Sequence, residues 1–164
     1  MASKAAIATV ICVMFLAGSS VSYPLHASCD VQWRFGISCA DVMAKIVAQI
    51  NAWQGSSGCA QGGEKCLYSL QSSSSSSIAA KHETPVRHYI DDLTFTADSP
   101  TADSCAVHGH SASKVWYSIM DYGTNYCNLA NLITGSGLDR VSGYSETTSN
   151  KVCTQFTSAD CTLY

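Results

Sequence analysis

Charged side chains are scarce in this sequence, with nine Lys and Arg beside twelve Asp and Glu among 164 residues. They form no block of one sign, which excludes a polybasic nucleic-acid patch and a heparin-binding stripe. We therefore expect no nucleic-acid partner. N-x-Ser/Thr sequons are absent as well, so N-glycosylation is not expected.

Long apolar runs are absent after the first residues. Residues 5–17 are apolar, follow the positive charge of Lys4 and precede small side chains up to Ser22. This order of basic start, short apolar core and small residues is typical of a secretory signal peptide. We predict a signal peptide over residues 1–22, a single disulfide-braced α+β domain over residues 23–164, and a secreted, extracellular product. No later run approaches the ~20 residues of a membrane span, so none is expected.

The cysteines include no C-x-x-C pair and no Cys/His cluster at zinc-finger spacing. Eight would remain after signal cleavage, and an even number in an oxidising compartment predicts four disulfides. Many pairings are compatible with the sequence, and we expect sequence neighbours to pair. The expected bridges are Cys29–Cys39, Cys59–Cys66, Cys105–Cys127 and Cys153–Cys161.

Two segments have the periodicity of helices. Residues 39–53 carry apolar side chains at three-and-four spacing, which predicts a long amphipathic helix. Ser38 is placed to cap its first turn, and Gly55 follows its end. Residues 125–134 predict a second, shorter helix that ends at Gly135.

Between the helices the pattern changes to alternation of apolar and polar residues, which predicts antiparallel strands. Six consecutive serines, residues 72–77, are expected to form a solvated hairpin loop. The tail, residues 143–164, is expected to be irregular and tethered by a disulfide, with one strand near residues 151–156. The predicted strands are residues 66–71, 78–82, 86–96, 105–110 and 114–120.

These elements predict an α+β fold in which a four- to five-stranded antiparallel meander packs on the long helix. The layout resembles that of cystatin-like and helix-grip domains, both of which serve in binding. The resemblance is limited to architecture, because the glycine of the cystatin Q-x-V-x-G hairpin is missing after Gln71. It therefore assigns no inhibitory residues.

A metal site is conceivable at His108 and His110, which alternate on one predicted strand and so share a face. His82 and His88 are the available histidines for a third ligand. Because no further ligand is evident from spacing, structural or surface histidines are the stronger interpretation. No cofactor motif is present, and no cofactor is expected.

Motifs of catalytic sites are missing too. There is no G-x-S-x-G elbow, and oxidised cysteines exclude a thiol nucleophile. A ribonuclease-like use of Lys81 and His82 is opposed by the acidic charge balance. Asp91 and Asp92, adjacent in a predicted strand, point to opposite faces and are expected at a bulge or an edge instead of forming a carboxylate pair. We therefore predict no catalytic residues.

The remaining expectation is binding. A curved sheet around the helix can leave an apolar pocket lined by aromatic side chains, although a fully packed core is the commoner outcome. We expect a secreted non-enzymatic protein that binds a small apolar ligand or an extracellular partner protein. The alternatives are a small hydrolase or metal-binding protein that uses the histidines, and a structural or host-defence component of a secretion. The predicted ligand-binding residues are Tyr68, Tyr89, Phe95, Trp116 and Tyr117.

Overall fold

The computed structural model describes residues 26–59, 62–98, 103–115 and 117–164. The predicted signal peptide and Trp116 lie outside these residues. The described residues form a six-stranded antiparallel sheet with two α-helices, which is an α+β fold. The elements are β1 (Ser28–Phe35), α1 (Cys39–Ala52), β2 (Tyr68–Ser73), β3 (Ser77–Glu83), β4 (Ile90–Asp98), β5 (Cys105–Ser113), α2 (Thr124–Gly135) and β6 (Ser145–Thr147).

The sheet has the strand order β2-β3-β4-β5-β1-β6. Strands β2 to β5 form the expected meander, but the prediction missed β1, which precedes α1 and lies between β5 and β6. Its side chains alternate strictly, with Val31, Trp33 and Phe35 buried. The alternation is visible in the sequence, whereas pairing with β5, whose register partners are 70 to 84 residues away, depends on the assembled sheet.

Other predicted strand boundaries were wrong. The serine run is a β2–β3 hairpin as expected, but residues 84–89 form a loop, and β4 begins at Ile90. The described residues of 114–120 lie outside any strand, and the tail strand is β6, at residues 145–147. At the edge of the sheet β6 pairs with β1, while Cys153 makes only an isolated bridge with Cys29.

Helix α1 matches the predicted helix, although its 14 residues make only about four turns. Ser38 caps it by accepting a hydrogen bond from the backbone N–H of Asp41 at 3.2 Å. The helix buries one apolar stripe in the core that lies against the inner face of the sheet. The stripe consists of Val42, Met43, Ile46 and Ile50.

Helix α2 is 12 residues long and differs from α1, because its buried surface includes three asparagines as well as apolar residues. Asn125, Asn128 and Asn131 each expose at most 2% of their surface. Buried amides need hydrogen-bond partners, so polar groups must face them from the neighbouring elements. Within the described residues, neither helix has the length and apolarity to cross a bilayer.

All eight cysteines of the described residues form disulfides, as predicted. The pairing of sequence neighbours is confirmed for Cys59–Cys66 and wrong for the other three bridges. The sheet brings cysteines together that are distant in sequence, because β1 pairs with β5 and with the tail. The bridges are Cys29–Cys153, Cys39–Cys105, Cys59–Cys66 and Cys127–Cys161.

Candidate ligand-binding cavity

A cavity of about 610 Å³ opens at one end of the sheet. Asp91, near the start of β4, and Ser113, the last residue of β5, are register partners and mark this end. The β3–β4 loop, the segment between β5 and α2, and the first turn of α2 surround the opening. Chain segments that are remote in sequence therefore meet around one concave space.

The rim of the cavity is apolar and exposed. Val86 in the β3–β4 loop exposes 87% of its surface, and Ile119 in the segment before α2 exposes 67%. Tyr117, Met120 and Tyr122 line the same opening and each expose 63%. Single exposed apolar residues are normal, but a cluster around a concavity marks a binding surface.

The floor of the cavity is polar. A row of inward-facing residues crosses the sheet here, since Tyr68 pairs with His82, His82 with Asp91, and Asp91 with Ser113. All four are buried, and Asp91 and Ser113 reach the cavity. Glu64, which precedes β2, joins them. Carboxyl groups thus lie beneath an apolar opening.

The asparagines of α2 hold this floor in place. Asn128 Nδ2 donates to Asp91 Oδ2 at 2.7 Å, and Tyr68 Oη donates to the backbone oxygen of Asn128 at 3.0 Å. Ser111 Oγ donates to Asn125 Oδ1 at 2.6 Å. Because each partner is buried, the network orients the floor as well as satisfying its polar groups.

Asp121 closes the first turn of α2. Its Oδ2 accepts hydrogen bonds from the backbone N–H of Asn125 at 3.1 Å and from Asn125 Nδ2 at 2.8 Å, and its Oδ1 accepts from Gly123 N at 3.1 Å. A carboxylate at this position offsets the partial positive charge of the helix end. The end of α2 that borders the cavity is therefore already neutralised.

Burial raises the pKa of Glu64 to about 7, and the neighbouring Asp91 carboxyl adds to the rise. Burial also raises the pKa of Asp91, against hydrogen bonds from Ser113 and Asn128 that lower it. Burial lowers the pKa of His82 to about 4, so this imidazole is neutral near pH 7. The floor therefore contains two carboxyl groups and no cationic histidine.

The tail positions the aromatic residue at the mouth. Tyr122 and Gly123 both have left-handed backbone conformations, with φ of 56° and 82°. Gln155 Oε1 accepts hydrogen bonds from the backbone N–H groups of Asp121 at 2.9 Å and Tyr122 at 2.8 Å. A non-glycine residue in this conformation needs support from its surroundings, and Gln155 supplies it.

Two of the predicted ligand-binding residues, Tyr89 and Tyr117, line the cavity. Tyr68 and Phe95 lie in the packed core, where each exposes at most 1% of its surface. Trp116 is outside the described residues. The cavity lies at the end of the sheet, because the inner face itself is occupied by packed side chains.

His108 and His110 share one face of β5, as predicted, and both contact Asp30 on β1. His108 Nε2 lies 2.8 Å and His110 Nδ1 2.9 Å from the same oxygen, Asp30 Oδ1. All three side chains are partly exposed on the outer face of the sheet. The described residues contain no group of three or more Asp, Glu, His and Cys arranged to hold a metal ion.

The structure does not bring His82 and His88 to this pair. His82 is buried on the inner face, where its Nε2 lies 2.9 Å from the backbone oxygen of Glu64. His88 is in the exposed β3–β4 loop and contacts Glu83 at 2.6 Å. The four histidines therefore lie in three separate places: the outer face of the sheet, its inner face and the β3–β4 loop.

Asp91 and Asp92 point to opposite faces, as expected, but the expected bulge or edge was wrong, because β4 lies between β3 and β5 and pairs with both in unbroken register. Asp91 belongs to the cavity floor, whereas Asp92 is exposed and lies 3.6 Å from Lys114 Nζ. Glu64, Asp121 and Asn125 were not predicted as site residues. The sequence signal for the rim was the apolar run that contains Ile119 and Met120, which was attributed to a strand, and no local pattern signals Glu64.

No protein-family model matches this chain, and no curated protein shows significant similarity to it.

Proposed function

We infer that this protein is an extracellular binding protein for a small amphipathic molecule, which it holds in the cavity at the end of the sheet. The observation that carries the proposal is the cavity itself, with an exposed apolar rim above a buried polar floor. Its volume of about 610 Å³ falls in the range of about 300–1,000 Å³ that is usual for sites of small ligands.

The division of the lining supports an amphipathic ligand over a purely apolar one. An apolar portion would contact Tyr117, Ile119 and Met120 and remove their exposed surface from water. A polar portion would reach Glu64 and Asp91, because an apolar group placed there would leave carboxyl groups desolvated without partners. The separation of apolar and polar lining residues therefore sets the orientation of the ligand in the cavity.

The compartment is part of the proposal. Four disulfides in the described residues are typical of a protein in an oxidising environment, and the apolar N-terminal run is typical of a signal peptide. An extracellular carrier benefits from such cross-links, since they stabilise the fold outside the cell.

Titration with a neutral apolar fluorophore, N-phenylnaphthylamine, tests the proposal. We expect saturable binding with a stoichiometry of one. The affinity of the double variant Ile119→Asn and Met120→Asn for the fluorophore should be lower by roughly tenfold or more, because two apolar contacts are lost. Both side chains are exposed in the free protein, so the fold should persist.

Val152→Gln is the matched control, because Val152 is an exposed apolar residue that does not line the cavity. This variant should bind the fluorophore like the wild type. Absence of saturable binding by the wild type, or equal affinity in the double variant, would contradict the proposal.

A further inference from the structure

We propose that the polar end of the ligand is an organic ammonium group, bound between the Glu64 and Asp91 carboxyl groups and the tyrosines of the cavity mouth. This inference rests on the proposed function and names the chemical class of its ligand. It begins from the cavity, whose lining combines acidic groups below with aromatic rings above.

The carboxyl groups of the floor lack a counter-charge. Among the described residues, no salt bridge involves Glu64 or Asp91. The residue after Asp91, Asp92, does pair with Lys114. Glu64 Oε2 is a buried oxygen with no hydrogen-bond partner among the described residues. Because water does not reach this oxygen, the Glu64 carboxyl group is poorly solvated, and a cation at the side of the group that lines the cavity offsets the cost of ionising it.

The lining contains one cationic side chain among the described residues, Arg87, and it lies at the rim. Arg87 is fully exposed and hydrogen-bonded to Tyr89, so water screens its charge from the floor. Asp121 already caps α2 and neutralises the helix end. Neither Arg87 nor the N-terminus of α2 therefore supplies positive charge at Glu64.

The tyrosines favour the same ligand. Tyr89, Tyr117, Tyr122 and Tyr164 all line the cavity, and aromatic faces attract ammonium groups through their quadrupoles. An anionic ligand would meet carboxyl groups of like charge on the floor. A neutral alcohol would donate a hydrogen bond to a carboxyl group of the floor but leave the negative charge there uncompensated.

The raised pKa values of Glu64 and Asp91 are consistent with this assignment. They reflect desolvated carboxyl groups that have no cationic neighbour. An ammonium ligand supplies that neighbour and allows both acids to ionise.

A series of three ligands that share the phenethyl group and differ in the polar end tests the inference: phenethylamine, phenethyl alcohol and hydrocinnamate. Binding is measured by calorimetry at pH 8, where Glu64 is mostly ionised because its pKa is about 7. We expect the amine to bind roughly tenfold or more tightly than the alcohol, since a charge-assisted hydrogen bond replaces a neutral one, and the carboxylate to bind most weakly.

Glu64→Gln should reduce the amine-to-alcohol affinity ratio towards one. The matched control is Glu83→Gln, because Glu83 does not line the cavity and contacts His88. It should retain the wild-type ratio. Thermal unfolding of each variant verifies that it is folded.

Equal affinities of the wild type for all three ligands would overturn the ammonium assignment and leave the proposed function standing. An amine-to-alcohol affinity ratio that is the same in Glu64→Gln as in the wild type would also overturn the ammonium assignment. If the wild type binds none of the three ligands and no neutral fluorophore, the proposed function itself fails.

Discussion

Single residues in this protein differ sharply in environment even when they are neighbours in sequence. Asp91 is 3% exposed and hydrogen-bonded to Asn128, while Asp92 is on the solvent side near Lys114. Glu64 lies between these extremes, partly exposed as a residue but with one fully buried oxygen. The titration of such a group couples to folding, because its pKa differs between the folded and unfolded chain.

Glu64→Gln tests this coupling. The folded-state pKa of about 7 lies above the ordinary value of 4.5, so the folded protein binds the Glu64 proton more tightly than the unfolded chain. The resulting stability is fully present below about pH 4.5 and is lost as pH rises through about 7. Relative to wild type, the variant should gain about 1 kcal/mol between pH 4 and pH 8, less than full linkage predicts, because partial exposure lets water screen the charge.

Urea unfolding at several pH values measures this difference. Asp103→Asn, at an exposed position outside the cavity lining, serves as the reference variant. A wild-type minus variant difference that is constant with pH would mean that Glu64 is not desolvated in the folded protein.

Among the elements, the segment between β5 and α2 determines the shape of the cavity mouth. Its described residues form no helix or strand, and their arrangement depends on a left-handed turn at Tyr122 and Gly123, on the Asp121 cap and on Gln155 from the tail. Short segments of this kind are held by a few specific contacts, so one substitution can displace several lining residues together.

Gly123→Ala is expected to disturb this element. The glycine has φ of 82°, and an added Cβ would lie 2.4 Å from Ala159 Cβ. Left-handed strain and overpacking together should cost about 2–4 kcal/mol of unfolding free energy. Affinity for the fluorophore should fall as well, because Tyr122 and Met120 are displaced.

Gly55→Ala is the matched control, since nothing lies within 4 Å of its added Cβ. Chemical denaturation and fluorophore titration of both variants check the expectation. Wild-type stability in Gly123→Ala would show that the turn adapts without cost.

For the whole molecule, the disulfides connect parts that the sheet alone does not. Cys29–Cys153 joins β1 to the tail, and Cys127–Cys161 joins α2 to the last residues. Cys39–Cys105 joins α1 to β5 across a sequence separation of 66, whereas Cys59–Cys66 spans only 7. Longer loops lose more conformational entropy in the unfolded state when they are closed.

Removal of the disulfide that closes the longer loop should therefore lower the free energy of unfolding more. Cys39→Ala with Cys105→Ala is expected to lose about 2 kcal/mol more stability than Cys59→Ala with Cys66→Ala, from loop entropy alone. Thermal and denaturant unfolding of the two double variants measures the difference. Equal losses would mean that the unfolded chain is already compact enough to remove the dependence on loop length.

Much of the fold was predictable because local periodicity reports burial. The stripe of α1 and its Ser38 cap agree with the sequence pattern, as do the hairpin of serines and the existence of α2. The cavity was only partly predictable. Tyr89 and Tyr117 were expected on aromatic character, whereas Glu64 joins the site because the fold brings it to the same cavity as Asp91, which no local pattern encodes.

The sequence by itself determined the periodicity of the main helices and strands and the oxidation of the cysteines in the described chain, because these follow from residue type and local spacing. Tertiary structure alone decided the insertion of β1 beside β5, three of the four disulfide partners, and the meeting of rim and floor around one cavity. The physical reason is that each of these depends on contacts between residues far apart in the chain, which exist only once the sheet has assembled.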